Sequence, residues 1–110
     1  MTETSEITRP ILLFLQRLPH IIVWRANVGR RGKILFGRPG QGDISGLLAP
    51  LGRRVEIETK TPAGELSDRQ KAFRSDILAM GGVYVILLSL QDAVAWARSE
   101  GLIRCLLRKS

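Results

Sequence analysis

The sequence predicts an α/β domain with a mixed central β-sheet flanked by α-helices. Three observations lead there. Apolar residues recur at helical spacing near both ends of the chain. Short β-prone runs separated by glycine-rich turns fill the first half, and a strand, a capped helix and an apolar strand follow in the second. With 110 residues, 45% of them hydrophobic and 25% charged, residues 1–110 read as a single domain of ordinary globular balance. Aromatic residues are only 5%, so its core is aliphatic.

Ile11, Leu12, Leu15 and Leu18 predict a first helix over residues 8–18, with Pro10 in its first turn and Pro19 beyond its end. Residues 21–26 read as a strand. A turn through Asn27-Val28-Gly29 and Arg31-Gly32 leads to a second strand at 33–36. Gly37, Pro39, Gly40, Gly42 and Gly46 mark 37–46 as a loop around Asp43. Residues 47–51 and 53–61 form a hairpin about Gly52, stopped by Pro62-Ala63-Gly64. Ser67-Asp68-Arg69-Gln70 is a capping box, opening a helix that runs to Met80 and ends at Gly81-Gly82. The apolar run 83–88 suits a strand buried on both faces. Ser89 caps a last helix with Ala93, Val94 and Ala97 inward, ending at Gly101. Residues 102–107 read either as an edge strand or as an oligomer contact. The order is α-β-β-β-β-α-β-α.

Seventeen Lys and Arg against ten Asp and Glu give +7. Between Ile7 and Gly42 there is no acidic residue, while Arg9, Arg17, Arg25, Arg30, Arg31, Lys33 and Arg38 all fall there. A surplus so placed points to a polyanion, and nucleic acid is the commonest one. Arg25, Arg30, Arg31 and Lys33 surround one predicted hairpin turn, a shape that can straddle a DNA groove. Trp24 has two readings, a stacking surface for an unpaired base and strand packing, and packing is the more frequent. Lone His20 and Cys105 exclude a Cys/His zinc site within one chain. The single cysteine fits a reducing cytoplasm. Glu3, Glu6 and Arg9 speak against a secretory signal, and no apolar run is long enough for a membrane.

Along 53–60, Val55, Ile57 and Thr59 face one side and Glu56, Glu58 and Lys60 the other. A half-exposed hairpin would alternate in the same way for solubility alone. Asp43 adds weight to a site, because it leads into the strand paired with this one. Two close carboxylates repel unless a cation neutralises them, and hard oxygen ligands of this kind suit Mg²⁺ or Mn²⁺. Lys60 beside them could position or help deprotonate a water that attacks phosphorus. Glu56 adds a third carboxylate, either an outer group of that site or the partner of Arg54 or Arg74; the second reading is preferred.

Gly42-Asp43-Ile44, Ile57-Glu58-Thr59-Lys60-Thr61-Pro62, Gly64-Glu65-Leu66-Ser67-Asp68-Arg69-Gln70 and Gly81-Gly82-Val83-Tyr84-Val85 together resemble the PD-(D/E)XK nuclease superfamily. The closer match is its VRR-NUC branch of virus-type replication-repair nucleases, over residues 20–98. The resemblance implies a restriction-endonuclease-like fold and a DNA endonuclease dependent on Mg²⁺ or Mn²⁺. It implies that Asp43 and Glu58 bind the metal, with the Thr59 backbone carbonyl as a further ligand, and that Lys60 activates the attacking water. Gln70 would face the same site, although it is also the third residue of the capping box. An acidic residue from the first helix often completes such sites, and Glu6, just before the predicted helix start, is the candidate for this additional acid. Arg53, Arg69, Lys71 and Arg74 are candidate phosphate contacts near the scissile bond. The resemblance favours branched DNA, such as Holliday junctions or forks, cut by a homodimer in DNA repair, with phage origin a natural setting and a further replication or repair protein as a possible partner. The aspartate lacks the proline that often precedes it. The rival reading is a catalytically silent or partner-dependent nucleic-acid-binding module on the same fold.

Overall fold

The computed structural model describes residues 3–26, 29–31, 34–36 and 42–103, with backbone alone for 3–5, 29–31 and 34–36. The order is α1 (Glu3–Gln16), β1 (Ile21–Arg25), β2 (Gly29–Arg31), β3 (Ile34–Phe36), β4 (Ile44–Leu48), β5 (Arg53–Thr59), α2 (Asp68–Ala79), β6 (Val83–Leu87) and α3 (Leu90–Ser99). Strands β1, β4, β5 and β6 form one sheet in that spatial order, and β2 pairs with β3 in a separate antiparallel ribbon. β1, β4 and β5 run antiparallel to their neighbours, and β6 runs parallel to β5. A parallel neighbour needs a crossover, and α2 supplies it. This is the predicted α/β class, compatible with a restriction-endonuclease-like fold. None of the described helices is long and apolar enough to cross a membrane.

One face of the sheet carries the core. Ile21, Val23, Ile44, Leu48, Val55, Ile57 and Leu87 pack there against Ile11 and Leu15 of α1 and Ala93 and Ala97 of α3. The helical spacing of the apolar residues dictates which stripes of α1 and α3 turn inward. Gly46 gives the neighbouring strand β1 room beside β4. A Cβ there would lie 2.4 Å from the Ile22 carbonyl oxygen and 2.7 Å from Val23 Cγ1.

Four expectations are revised. The first helix starts at Glu3, so Pro10 lies inside it, although an interior proline removes a backbone hydrogen bond. The turn before Pro10 is held by tertiary contact instead: Ile7 packs on the core and the buried Thr8 hydroxyl bonds that of Thr59. β4 begins at Ile44, inside the expected loop, and a turn through the cis Ala49–Pro50 bond takes up 49–52. The Arg-rich hairpin is β2–β3, so Arg30 and Arg31 lie on a strand, while Arg25 ends β1, which pairs with β4. β6 is an edge strand with Ile86 exposed, and β5, between β4 and β6, is the strand buried on both faces from Val55 onward. Residues 104–107 lie outside the described residues.

Replacing Gly46 with Ala forces a methyl group into backbone. The expected loss of stability is at least about 2 kcal/mol, read as a lowered urea midpoint with unchanged slope.

Candidate active site

Beyond the last β4–β5 pair, Ile44 with Ile57, the chain approaches β5 closely. A Cβ on Gly42 would lie 2.8 Å from the Ile57 carbonyl oxygen. Glycine stands directly before the aspartate because a side chain there would meet the backbone of β5. The next residue, Asp43, is fixed twice. Its carbonyl accepts from Ala26 N–H (2.9 Å), and its Oδ2 accepts from Thr59 N–H (2.9 Å) and the Thr59 hydroxyl (2.7 Å). Both Thr59 bonds fall on Oδ2, which leaves Oδ1 for another ligand.

On the opposite face of β5 from the core lie Arg54, Glu56 and Glu58. They are not a solvated stripe, since Glu56 is 0% and Glu58 4% exposed. Glu56 is fully partnered: Ser45 Oγ donates to Oε1 (3.0 Å) and Arg54 Nε to Oε2 (2.6 Å). Arg54 is thus the partner of Glu56.

Glu58 is treated differently. Its Oε2 accepts from Gln70 Nε2 at 2.8 Å and faces Lys60 Nζ at 3.5 Å. Its Oε1 is buried and has no hydrogen-bond partner among the described residues. Burial, and then the charge of Asp43, push the carboxyl up to about 7, against the opposing pull of Lys60 and Gln70. Such a group is an anion short of positive charge. Gln70 serves both roles foreseen for it. Its Oε1 accepts from Ser67 N–H (2.8 Å) and closes the capping box, while its Nε2 reaches Glu58. The Lys60 stem passes Gly64, where a Cβ would come 3.2 Å from Lys60 Cδ.

The structure therefore gathers Asp43, Glu58, Thr59, Lys60 and Gln70. Thr59 contributes its N–H and hydroxyl to Asp43. Glu6 is exposed on α1 and nothing joins it to the cluster. Thr8, two residues on and about 200° around the helix, is the α1 residue that reaches Thr59. Arg53 stands five residues from Glu58 along β5, about 16 Å away, and donates to the Gly81 carbonyl at 3.0 Å. It tethers the α2–β6 turn. Arg69, Lys71 and Arg74 are exposed on α2, and Arg74 shares a helix face with Gln70, one turn on. Arg25 is exposed at the end of β1, Lys33 lies outside the described residues, and so do the side chains of Arg30 and Arg31.

Sequence reasoning passed over Tyr84. It is level with Glu56 in the β5–β6 register, stacks edge-on to Phe73 of α2 at 6.4 Å, and has a buried hydroxyl without a partner among the described residues. Burial and the charge of Glu58 push this phenol up to about 12, so it keeps its proton. The only signal for it was its place in the Gly-Gly-Val-Tyr-Val run.

A divalent cation fits this arrangement by one observation, the orphaned buried Oε1 of Glu58 beside a second carboxylate. Among the described residues no group of three or more His, Cys, Asp or Glu gathers. Mg²⁺ needs no more than one or two carboxylates, since it keeps several waters. No protein-family model matches the sequence, and no curated protein is significantly similar to it.

Two outcomes are expected. Between 4.5 and about 7 folded Glu58 holds a proton that the unfolded chain has released, so without metal stability falls as pH rises through that window. The fall is roughly 3 kcal/mol, level above it, and absent in Glu58→Gln; urea titrations in EDTA at about pH 5 and pH 8 measure it. Gly42→Ala displaces Asp43 from Thr59, and a drop of on the order of tenfold in Mg²⁺ affinity by calorimetry is the readout.

Proposed function

We propose that this chain is a divalent-metal-dependent DNA endonuclease that hydrolyses phosphodiester bonds. The observation that carries the reading is the buried Glu58 carboxylate, half-satisfied and flanked by Asp43, Lys60 and Gln70. An ordinary structural acid is treated as Glu56 is, with both oxygens bonded.

In this reading Asp43 and Glu58 hold Mg²⁺ or Mn²⁺, with the Thr59 carbonyl completing the protein's ligand set. A bound divalent ion supplies Lewis-acid stabilisation of the charge that develops on the phosphate. Thr59 fixes the rotamer of Asp43, and Gln70 fixes that of Glu58. The Lys60 ammonium orients the attacking water and stabilises the negative charge that grows on its oxygen as the water's proton passes to bulk solvent. Arg69, Lys71 and Arg74 on α2 hold flanking phosphates, with Arg25, Arg30, Arg31 and Lys33 reaching further along the backbone.

The finer reading is selectivity for branched DNA, a Holliday junction or a fork, in repair or in phage replication. Its support is the ordered VRR-NUC-like motif set. A homodimer would bring two such sites to two strands. A second reading, a DNA-binding module that does not cut, is favoured by the gathering of only two carboxylates, Asp43 and Glu58, at the cluster among the described residues.

Labelled four-way-junction, forked, single-stranded and linear DNA incubated with Mg²⁺, Mn²⁺ or EDTA decide between them. Cleavage is expected with metal alone, reduced on the order of 10²-fold or more in Asp43→Ala and Lys60→Ala. Folded wild-type protein that binds DNA in Mg²⁺ and leaves every substrate intact would establish the binding module instead.

A further inference from the structure

The second face of the sheet is covered unevenly. α2 docks over β6 through Phe73 and Tyr84, whereas the β1–β4 half carries three large apolar side chains open to solvent. Ile22 is 66% exposed, Trp24 40% and Leu47 39%. Strand alternation puts all three on the face that bears Arg54, Glu56 and Glu58. Trp24 is therefore not core packing, which was the more frequent expectation for a strand tryptophan.

We infer that the Trp24 ring, with Arg54 laid against it, is a stacking platform for an unpaired nucleobase next to the nucleotide whose phosphate is cut. The inference rests on the nucleic-acid reading above and names its substrate class, DNA with unpaired nucleotides beside the cut. Trp24, Ser45, Glu56 and Tyr84 stand level across the four strands. Asp43 is one strand over and two residues along from Trp24, so their Cα atoms are about 8 Å apart; Glu58 is about 12 Å from Trp24 by the same spacings. A base on the indole thus belongs to a nucleotide close to the carboxylate pair.

The Arg54 guanidinium carbon lies 6.0 Å from the centre of the Trp24 ring while its Nε bonds Glu56. Glu56 anchors the arginine, and the arginine leaves its outer edge for a phosphate while the ring offers its face to a base. Charge argues against a second copy of this chain as the occupant. A two-fold contact over this patch would bring Arg54 towards its own counterpart, whereas a nucleotide brings the opposite charge. Stacking is also indifferent to base identity.

Binding measured in EDTA, without cleavage, tests the platform. The probes are a fluorescein-labelled oligothymidine, the matching blunt duplex, and the single strand with one abasic nucleotide. Trp24→Ala is expected to weaken single-strand binding about tenfold and duplex binding less than about twofold, with Trp24→Phe close to wild type. The abasic probe should lose affinity for wild-type protein and lose nothing more with Trp24→Ala. In a Trp96→Phe background the remaining Trp24 fluorescence should be quenched by oligothymidine, a readout that needs no Trp24 variant to fold. Equal weakening on both DNAs, no weakening, or no quenching overturns the platform. So does a fall from dimer to monomer in Trp24→Ala with binding per protomer unchanged, which would assign the patch to a second copy. An inactive wild-type protein that still shows the stacking signature would sink the nuclease and spare the platform.

Discussion

The Thr59 side chain joins three separate parts of the chain at one oxygen. It donates to Asp43 where β4 begins, and it bonds Thr8 from the helix packed on the core. Its N–H, which an antiparallel neighbour would otherwise have taken, also goes to Asp43. A buried hydroxyl or amide left without a partner costs on the order of 1–3 kcal/mol, so these bonds specify one arrangement and penalise others. The placement of Asp43 just before β4 and the helical turn at Thr8 both rest on this node. Lys60 and Glu58 are its immediate neighbours in sequence and inherit its rigidity.

The two glutamates of β5 show how one strand separates structure from chemistry. They share a face, stand two residues apart and are both buried. Around Glu56 the protein supplies a guanidinium and a hydroxyl, so the charge is neutralised inside the fold. Around Glu58 it supplies one amide and an ammonium at the outer limit of contact, and places a second carboxylate close by. Desolvation then works against the ionised form. Carboxylates perturbed in this way cluster at functional sites.

Most of the architecture was legible in the sequence because turn and cap signals are local. Ser67-x-x-Gln70, Ser89 and Gly101 place the helix ends as read, and the apolar periodicity of α1 and α3 gives the core. The revisions arose where distant residues decide. Pro10 argued locally for a helix start, and the bond between Thr8 and Thr59, fifty-one residues apart, outweighed it. The alternation of β5 looked half-exposed and the apolar run of β6 looked fully buried, yet sheet order reverses the two. At the site, Asp43, Glu58, Lys60 and Gln70 were legible through the ordered motifs and come together. Thr8, Tyr84 and the Thr59 hydroxyl were not, because neither spacing nor charge marks a neutral hydroxyl whose partner lies on another element. Arg53 and Glu6 were named for charge, and register and helix phase put them elsewhere.

Helix α2 carries one wall of the cluster on little support. Of its twelve residues Phe73 alone is buried, and its N-terminus is closed by the same glutamine that reaches Glu58. A segment held by one buried ring, one cap and the Arg53 tether just past its end can be rewritten along its outer surface with little disturbance to the sheet beneath. In evolutionary terms, the outer surface of residues 68–79 is replaceable while Gln70 and Phe73 are kept. The strand that carries Glu58 can stay unchanged while the cations along the outer surface of this helix are exchanged.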